Sequence, residues 1–295
     1  MYRFCRKLLI AISFSSLCLH AQSSKPGFGL PGIADFDVAT AMRELYSNFD
    51  PKTKSSVFEV PEGAILDGTF FHVGDEVVAV PLRTLATFEG GKRKMILLTY
   101  AVPKASFGVP DRLNTFDCHA CAPIIGAAAF VPAPAGWRME SFCTVVAYGG
   151  GFGQPPNEFR IVPIGEHRIG IEMTDRYEGQ GEKTKIKLIM VPWNGKVNPA
   201  LKYISNENDR GACDSGDDRL PCYSNGRQLQ FVSGTDPNYY DILLTLSGSD
   251  LTEAPPYRSK SVRGSQRLTF VHGTYKMKDR VGDTTSLERL IAFPK

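Results

Sequence analysis

Cys118-His119-Ala120-Cys121 is the stretch whose residue types and spacing come closest to a chemical device. Two cysteines separated by two residues shuttle electrons when the first thiolate is stabilised at a helix N-terminus. Two thiolates with His119 could instead hold zinc, and haem attachment wants a histidine after the second cysteine. The surroundings argue against all three. Residues 122–130 read as strand rather than helix, no second ligand pair follows, and Ala122 stands where a haem histidine would be. A structural disulfide is expected, with redox and metal chemistry as alternatives. Cys213 and Cys222 flank a polar loop and form a second expected pair, a staple contributing about 2–3 kcal/mol. Cys143, on an apolar run, reads as a buried free thiol that could compete for Cys118 or Cys121.

The remaining candidates are weaker. His72, His119, His167 and His272 have no partners at ligand spacing, and there is no Gly-x-Ser-x-Gly elbow, so no catalytic residue is assigned. Gly149-Gly150-Gly151-Phe152-Gly153-Gln154 lacks the Lys-Ser/Thr ending of a phosphate loop, and Pro155-Pro156 blocks the helix such a loop needs. It reads as a tight turn. Asn206-Glu207-Asn208-Asp209 with Asp214, Asp217 and Asp218 could offer oxygens to calcium, but not at EF-hand spacing. A solvated loop under the Cys213–Cys222 staple explains it as well. Asp175, Glu178 and Glu182 flank a hairpin tip and read as a polar turn. No cofactor is required, and calcium stays as the alternative.

Residues 1–21 carry Arg3, Arg6 and Lys7, then an apolar run over 8–19, then Ala21: the order of a cleavable secretory signal. The run is shorter than the ~20 residues that span a bilayer. Cys18 as a lipidation site is disfavoured by bulky Leu17 before it. Export puts the cysteines in an oxidising compartment, periplasmic or extracellular. With the signal gone, 31 basic residues face 31 acidic ones, which argues against a nucleic-acid partner. No later apolar run approaches membrane-spanning length, so a soluble mature chain is expected.

The elements that must hold these residues are mostly strands. Residues 22–34 are a flexible leader. A helix is expected over 35–49, capped by Asp35 or Asp37, with Val38, Met42, Leu45 and Tyr46 on one face and Asp50-Pro51 ending it. Strands are expected at 57–60, 69–73, 76–81, 95–102, 124–131, 137–146, 159–164, 168–174, 184–192, 196–204, 227–232, 240–246, 266–271 and 274–278, with a helical turn over 286–293. The expected fold is all-β: a propeller-like or sandwich-like meander of short antiparallel strands in one domain over 57–295, with one short N-terminal helix.

Three strands run into a glycine turn followed by a basic residue: Phe130-Val131-Pro132 before Gly136-Trp137-Arg138, Met190-Val191-Pro192-Trp193-Asn194-Gly195-Lys196, and Thr269-Phe270-Val271-His272-Gly273-Thr274-Tyr275-Lys276. With Tyr239-Tyr240-Asp241-Ile242-Leu243-Leu244, this spacing over 57–280 resembles the repeats of bacterial FG-GAP-type β-propellers. It departs from them in lacking the calcium loop of alternating Asp residues. Cys118-His119-Ala120-Cys121-Ala122-Pro123 is similar to a stretch in uncharacterised exported bacterial proteins, and that resemblance implies no activity.

The functional expectation is an exported, non-enzymatic binding protein whose partner is another envelope or secreted protein, as an inhibitor or immunity-type partner would be. Candidate binding residues are Tyr148, Phe152 and Gln154 in the glycine–proline turn, and Asp209, Asp214, Asp217 and Asp218 in the 205–226 insertion. The alternatives are an envelope enzyme, either a hydrolase or a thiol oxidoreductase using Cys118 and Cys121, and a calcium- or carbohydrate-binding module.

Overall fold

Asp37 caps the first described helix. Its carboxylate accepts from the N–H groups of Ala39 and Thr40 at 3.1 Å each, which satisfies donors a helix start leaves orphaned. In the computed structural model, which describes residues 36–64, 70–107, 118, 120–134, 136–213, 221–234, 236–252, 257–282 and 291–292, this helix is α1, Val38–Tyr46. The expected signal, leader and Asp35 lie outside the described residues. The expected terminator at Asp50-Pro51 is corrected. Ser47 ends α1 in the left-handed region, φ 65°, with its N–H on Arg43 O, and Phe49–Asp50 already form a strand.

The rest is a meander. Strands β1 (Phe49–Asp50), β2 (Ser55–Glu59), β3 (Glu76–Glu89), β4 (Lys92–Pro103), β5 (Ile124–Ala133) and β6 (Gly136–Tyr148) pair in sequence order. So do β7 (Glu158–Gly165), β8 (Arg168–Gly179), β9 (Glu182–Trp193) and β10 (Lys196–Asn208). A four-residue turn, α2 (Arg210–Cys213), leads to β11 (Ser224–Val232), β12 (Asp241–Leu251), β13 (Ser259–Val271) and β14 (Thr274–Gly282). Among the described residues all ladders are antiparallel except the seam between the first two sets, a parallel contact of β6 with β10 at Phe142 and Lys196. The last set joins at a corner where residues 206–208 of β10 pair with 226–224 of β11.

Period-two alternation decides how these sets stack. One face of β4–β6 (Met95, Leu97, Ala128, Phe130, Trp137) packs on Met42, Leu45 and Tyr46 of α1. The opposite face (Ile96, Leu98, Ile125, Ala127, Ala129) meets Ile169, Ile171, Met173, Leu188 and Met190 of β8 and β9. The far face of that second sheet (Val162, Ile189, Val191, Leu201, Tyr203) is covered by Ile242, Leu244, Leu268, Phe270 and Tyr275. The result is a helix and three layers of sheet. All-β with one short helix is what the sequence implied, and of the two expected arrangements the layers follow the sandwich rather than radial blades.

The strands are longer than expected, up to 14 residues in β3. Two expectations are corrected outright. The 69–73 run is no strand where described: Phe71 is buried as a single plug while Phe70 and Val73 face solvent. Within 286–293, Ile291–Ala292 form β15, a strand bridge to Tyr203 and Lys202, where a helical turn was expected.

The two ends of the layers differ. At one end β3–β4, β5–β6, β7–β8, β9–β10 and β13–β14 are joined by two residues each. Gly90-Gly91, Asn194-Gly195 and His272-Gly273 have positive φ at both positions, the geometry of type I′ hairpins that match strand twist. These turns also touch one another: Ile169 N–H donates to Glu89 at 3.1 Å, Tyr240 N–H to Ile164 O at 2.8 Å, and the Trp193 and His272 rings lie 6.2 Å apart. At the opposite end run the connections 60–75, 104–123, 149–157, 209–223 and 252–258. That is the loop end.

Candidate functional site

Both expected disulfides lie at the loop end. Cys118 and Cys121 are bonded with Cα atoms 4.9 Å apart, Cys213 and Cys222 with Cα atoms 5.2 Å apart. Cys143 is buried on β6 as expected but is disulfide-bonded. That corrects the free-thiol expectation. An apolar strand position predicts burial and says nothing about whether the sulfur is bonded.

The Cys118–Cys121 loop serves as a cradle. Gly151 and Gln154 exchange backbone bonds of 3.1 and 2.9 Å, closing a two-residue turn at Phe152-Gly153. Phe152 N–H then donates to Cys118 O at 2.9 Å and Gly153 N–H to Cys121 O at 2.8 Å. Phe152 sits at φ 53°, which a bulky side chain rarely adopts, and remains 48% exposed. Strained residues of this kind persist where their surroundings over-determine them. Here the disulfide loop does so. Behind the turn, Tyr148 is half-buried and stacks on Phe71 at 6.2 Å, and Gln154 faces solvent.

Under this turn lie two half-buried groups of opposite charge, Asp175 and Lys202. Asp175 accepts from Gly150 N–H and, at 2.9 Å, from Arg176 N–H. Burial raises its pKa above the ordinary carboxylate value, while burial lowers that of Lys202, which attracts it. A Cβ on Gly149 would stand 2.8 Å from Pro156 Cγ and 3.0 Å from Met173 Cε, so a larger residue there must displace its neighbours.

The second insertion is braced from inside. Asp209, expected to face a ligand, is buried: its Oδ1 accepts from Tyr223 N–H at 2.8 Å and its carbonyl from Cys213 N–H at 3.0 Å. It closes the stapled loop. Asp209, Cys213 and Cys222 lie close enough to suggest a metal site. The two sulfurs are bonded to each other, however, and a thiolate is the species that ligates metal. Asp214, Asp217, Asp218 and His119 lie outside the described residues. Among the described histidines no pair forms: His72 sits against Asp75 (3.5 Å), His167 in the β7–β8 turn and His272 in the β13–β14 turn.

Sequence reasoning missed two charged groups between the second and third sheets. Glu172, 3% exposed, receives Arg160 Nε at 2.8 Å, Arg160 NH2 at 3.0 Å and Lys187 Nζ at 2.9 Å. Burial alone would raise its pKa; the hydrogen bonds from Arg160 and then Lys187 outweigh this and hold it below the ordinary value. A glutamate inside the apolar run Ile169-Gly170-Ile171-Glu172-Met173 was the available signal. At the corner, the register shift between Ile204 and Asn206 turns Ile204 O toward Arg227 NH1, 3.0 Å away. Burial pushes the Arg227 pKa down to about 10 despite Glu207 and Asp250, and burial raises that of Glu207.

The loop end thus joins an exposed aromatic turn, a disulfide cradle and a stapled acidic loop on a layered all-β scaffold. No protein-family model, curated protein or solved structure matches the chain. No described helix is long and apolar enough to cross a membrane.

Proposed function

We propose that the chain is an exported binding protein whose recognition surface is the loop end, with another envelope or secreted protein as partner. One observation carries this reading: the two described disulfide pairs and most of the long connections gather at one end of a scaffold whose other end is closed mainly by two-residue turns. Rigid layers presenting loops at one end are a common way to place binding residues. Phe152 is the anchor, an exposed aromatic held by backbone bonds to a disulfide loop, and Gln154 flanks it. Aromatic side chains with little conformational entropy to lose are enriched among residues that dominate binding energy.

The test is site-specific photo-crosslinking in intact cells of the source. A photoreactive phenylalanine analogue replaces Phe152 or Gln154, and in a control Asn194 of the closed end. Crosslinks to one exported protein from the first two positions, and none from Asn194, are expected. Crosslinks from Asn194 alone, or none from Phe152, would move the surface elsewhere.

A further inference from the structure

Strand β14 is the last in the sheet order, and among the described residues β13 alone pairs with it. Its start is anchored by Tyr275, which is fully buried. From Lys276 to Gly282 every residue is exposed, yet the ladder continues to the pairing of Gly264 with Gly282. A long exposed edge presents unpaired N–H and C=O groups that template another strand. Proteins that avoid such pairing keep edges short, bent or charged. This edge is long and carries one bulge, at Lys278. Its charge has one dominant sign, Lys276, Lys278 and Arg280 against Asp279, which turns away cationic strands and leaves acidic ones. Among the described residues the side chains of Lys276 and Lys278 enter no hydrogen bond or ion pair. Met277 and Val281, 43% and 70% exposed, leave apolar surface on opposite faces of the same strand.

We propose that the β14 edge is a docking site for an acidic, extended segment of another protein, which adds to the sheet as a further strand. Backbone hydrogen bonds would supply the pairing and Lys276 and Lys278 the choice of partner, as in other strand-addition complexes. Carboxylates on alternate residues of the added strand would stand beside Lys276 and Lys278, where opposite charges are favourable and like charges are not, while the bulge at Lys278 puts Arg280 on the opposite face. The same rule disfavours a second copy of this chain, since β14 against β14 sets cations beside cations well within the ~8 Å screening length of physiological salt. The inference is independent of the loop-end reading.

The probe is a dye-labelled peptide of alternating Glu and Thr, about as long as the nine residues of β14, followed by fluorescence anisotropy. Its control is an alternating Glu-Pro peptide, equally acidic, in which the prolines donate nothing and their fixed φ of about −65° opposes the extended strand. Saturable binding of the Glu-Thr peptide that weakens with salt is expected, together with amide-exchange protection confined to Lys276–Gly282. The Glu-Pro peptide should not bind. The double variant Lys276→Glu, Lys278→Glu should bind at least ~10-fold more weakly, a change of ~1.4 kcal/mol or more. Equal binding of the Glu-Pro peptide would reduce the site to a charged patch and overturn strand addition. Absence of binding, or undiminished affinity in a double variant with unchanged melting, would overturn the proposal. Should the variant not fold, the exchange pattern of the unaltered protein decides. Dimerisation without peptide on sedimentation would give the edge to a second copy and overturn the acidic partner.

Discussion

Glu172 is the residue at which burial and charge are most closely balanced. Its carboxylate is shielded by the second and third sheets, whereas Arg160 stays 64% exposed and can return to water. Losing the carboxylate charge therefore weakens up to three charge-assisted bonds at little desolvation cost to the arginine. Glu172→Gln is expected to lower stability by about 1–3 kcal/mol, read as a shift of the urea midpoint without a change in slope. The pH dependence follows from its lowered pKa. A carboxyl more acidic folded than unfolded contributes stability that is complete above the unfolded value and lost as pH falls through the folded one. The unaltered protein should lose this contribution below ~pH 5, and the glutamine variant should show a flatter acid limb over the same window. Parallel acid limbs would remove Glu172 from the account. Asp175 runs the other way: its raised pKa makes ionisation a cost of folding, so it withdraws stability as pH rises through the carboxylate range.

At the scale of elements, the packing of α1 on the first sheet includes one close polar approach. Tyr46 OH and Thr99 Oγ1 lie 2.6 Å apart in the core, and Gly126 of β5 leaves the room. A Cβ there would stand 2.4 Å from Thr99 Oγ1 and 2.7 Å from Tyr46 OH. Gly126→Ala is expected to cost roughly 1–3 kcal/mol through overpacking and to raise amide exchange in α1 more than in β8. A thermal melt and an exchange map check this; unaltered stability would mean that the helix shifts freely. The helix was legible in the sequence because capping and periodicity are local. The two-residue turns were legible as glycine signals for the same reason, at Asn194-Gly195 and His272-Gly273. Strand lengths were not. Residues 84–89 of β3 alternate exposed with half-buried positions and residues 176–178 of β8 are exposed throughout, so neither leaves a continuous apolar run to read. Asp209 misled for a related reason: an acidic residue in a polar loop reads as a ligand until a distant backbone donor, Tyr223 N–H, is seen to take its carboxylate.

For the whole molecule, the difference between the ends sets what each disulfide does. Removing the Cys213–Cys222 bond by Cys213→Ser with Cys222→Ser should cost about 2–3 kcal/mol, as expected for a loop of this size. The loss should leave amide protection of the closed-end turns unchanged, because those are fixed by ladders and by Glu89 and Tyr240. Loss of protection throughout would show that the staple holds the layers and not the loop. The pairing partners were readable from spacing alone, whereas the meeting of the Cys118–Cys121 loop with the Phe152 turn was not. It needs β5 and β6 side by side, a contact set by register and not by neighbouring residues.

The middle apolar layer has a consequence for synthesis. Its two walls come from different halves of the chain: Ile96, Leu98, Ile125, Ala127 and Ala129 from the first, Ile169, Ile171, Met173, Leu188 and Met190 from the second. Translation proceeds from the N-terminus, so the first meander can zip up hairpin by hairpin while its partner wall has yet to emerge. During that interval it is a ready-made sheet with an oily face and nothing to cover it. Such a nascent species is prone to aggregation and to capture by chaperones, and only the arrival of β8 and β9 ends that exposure.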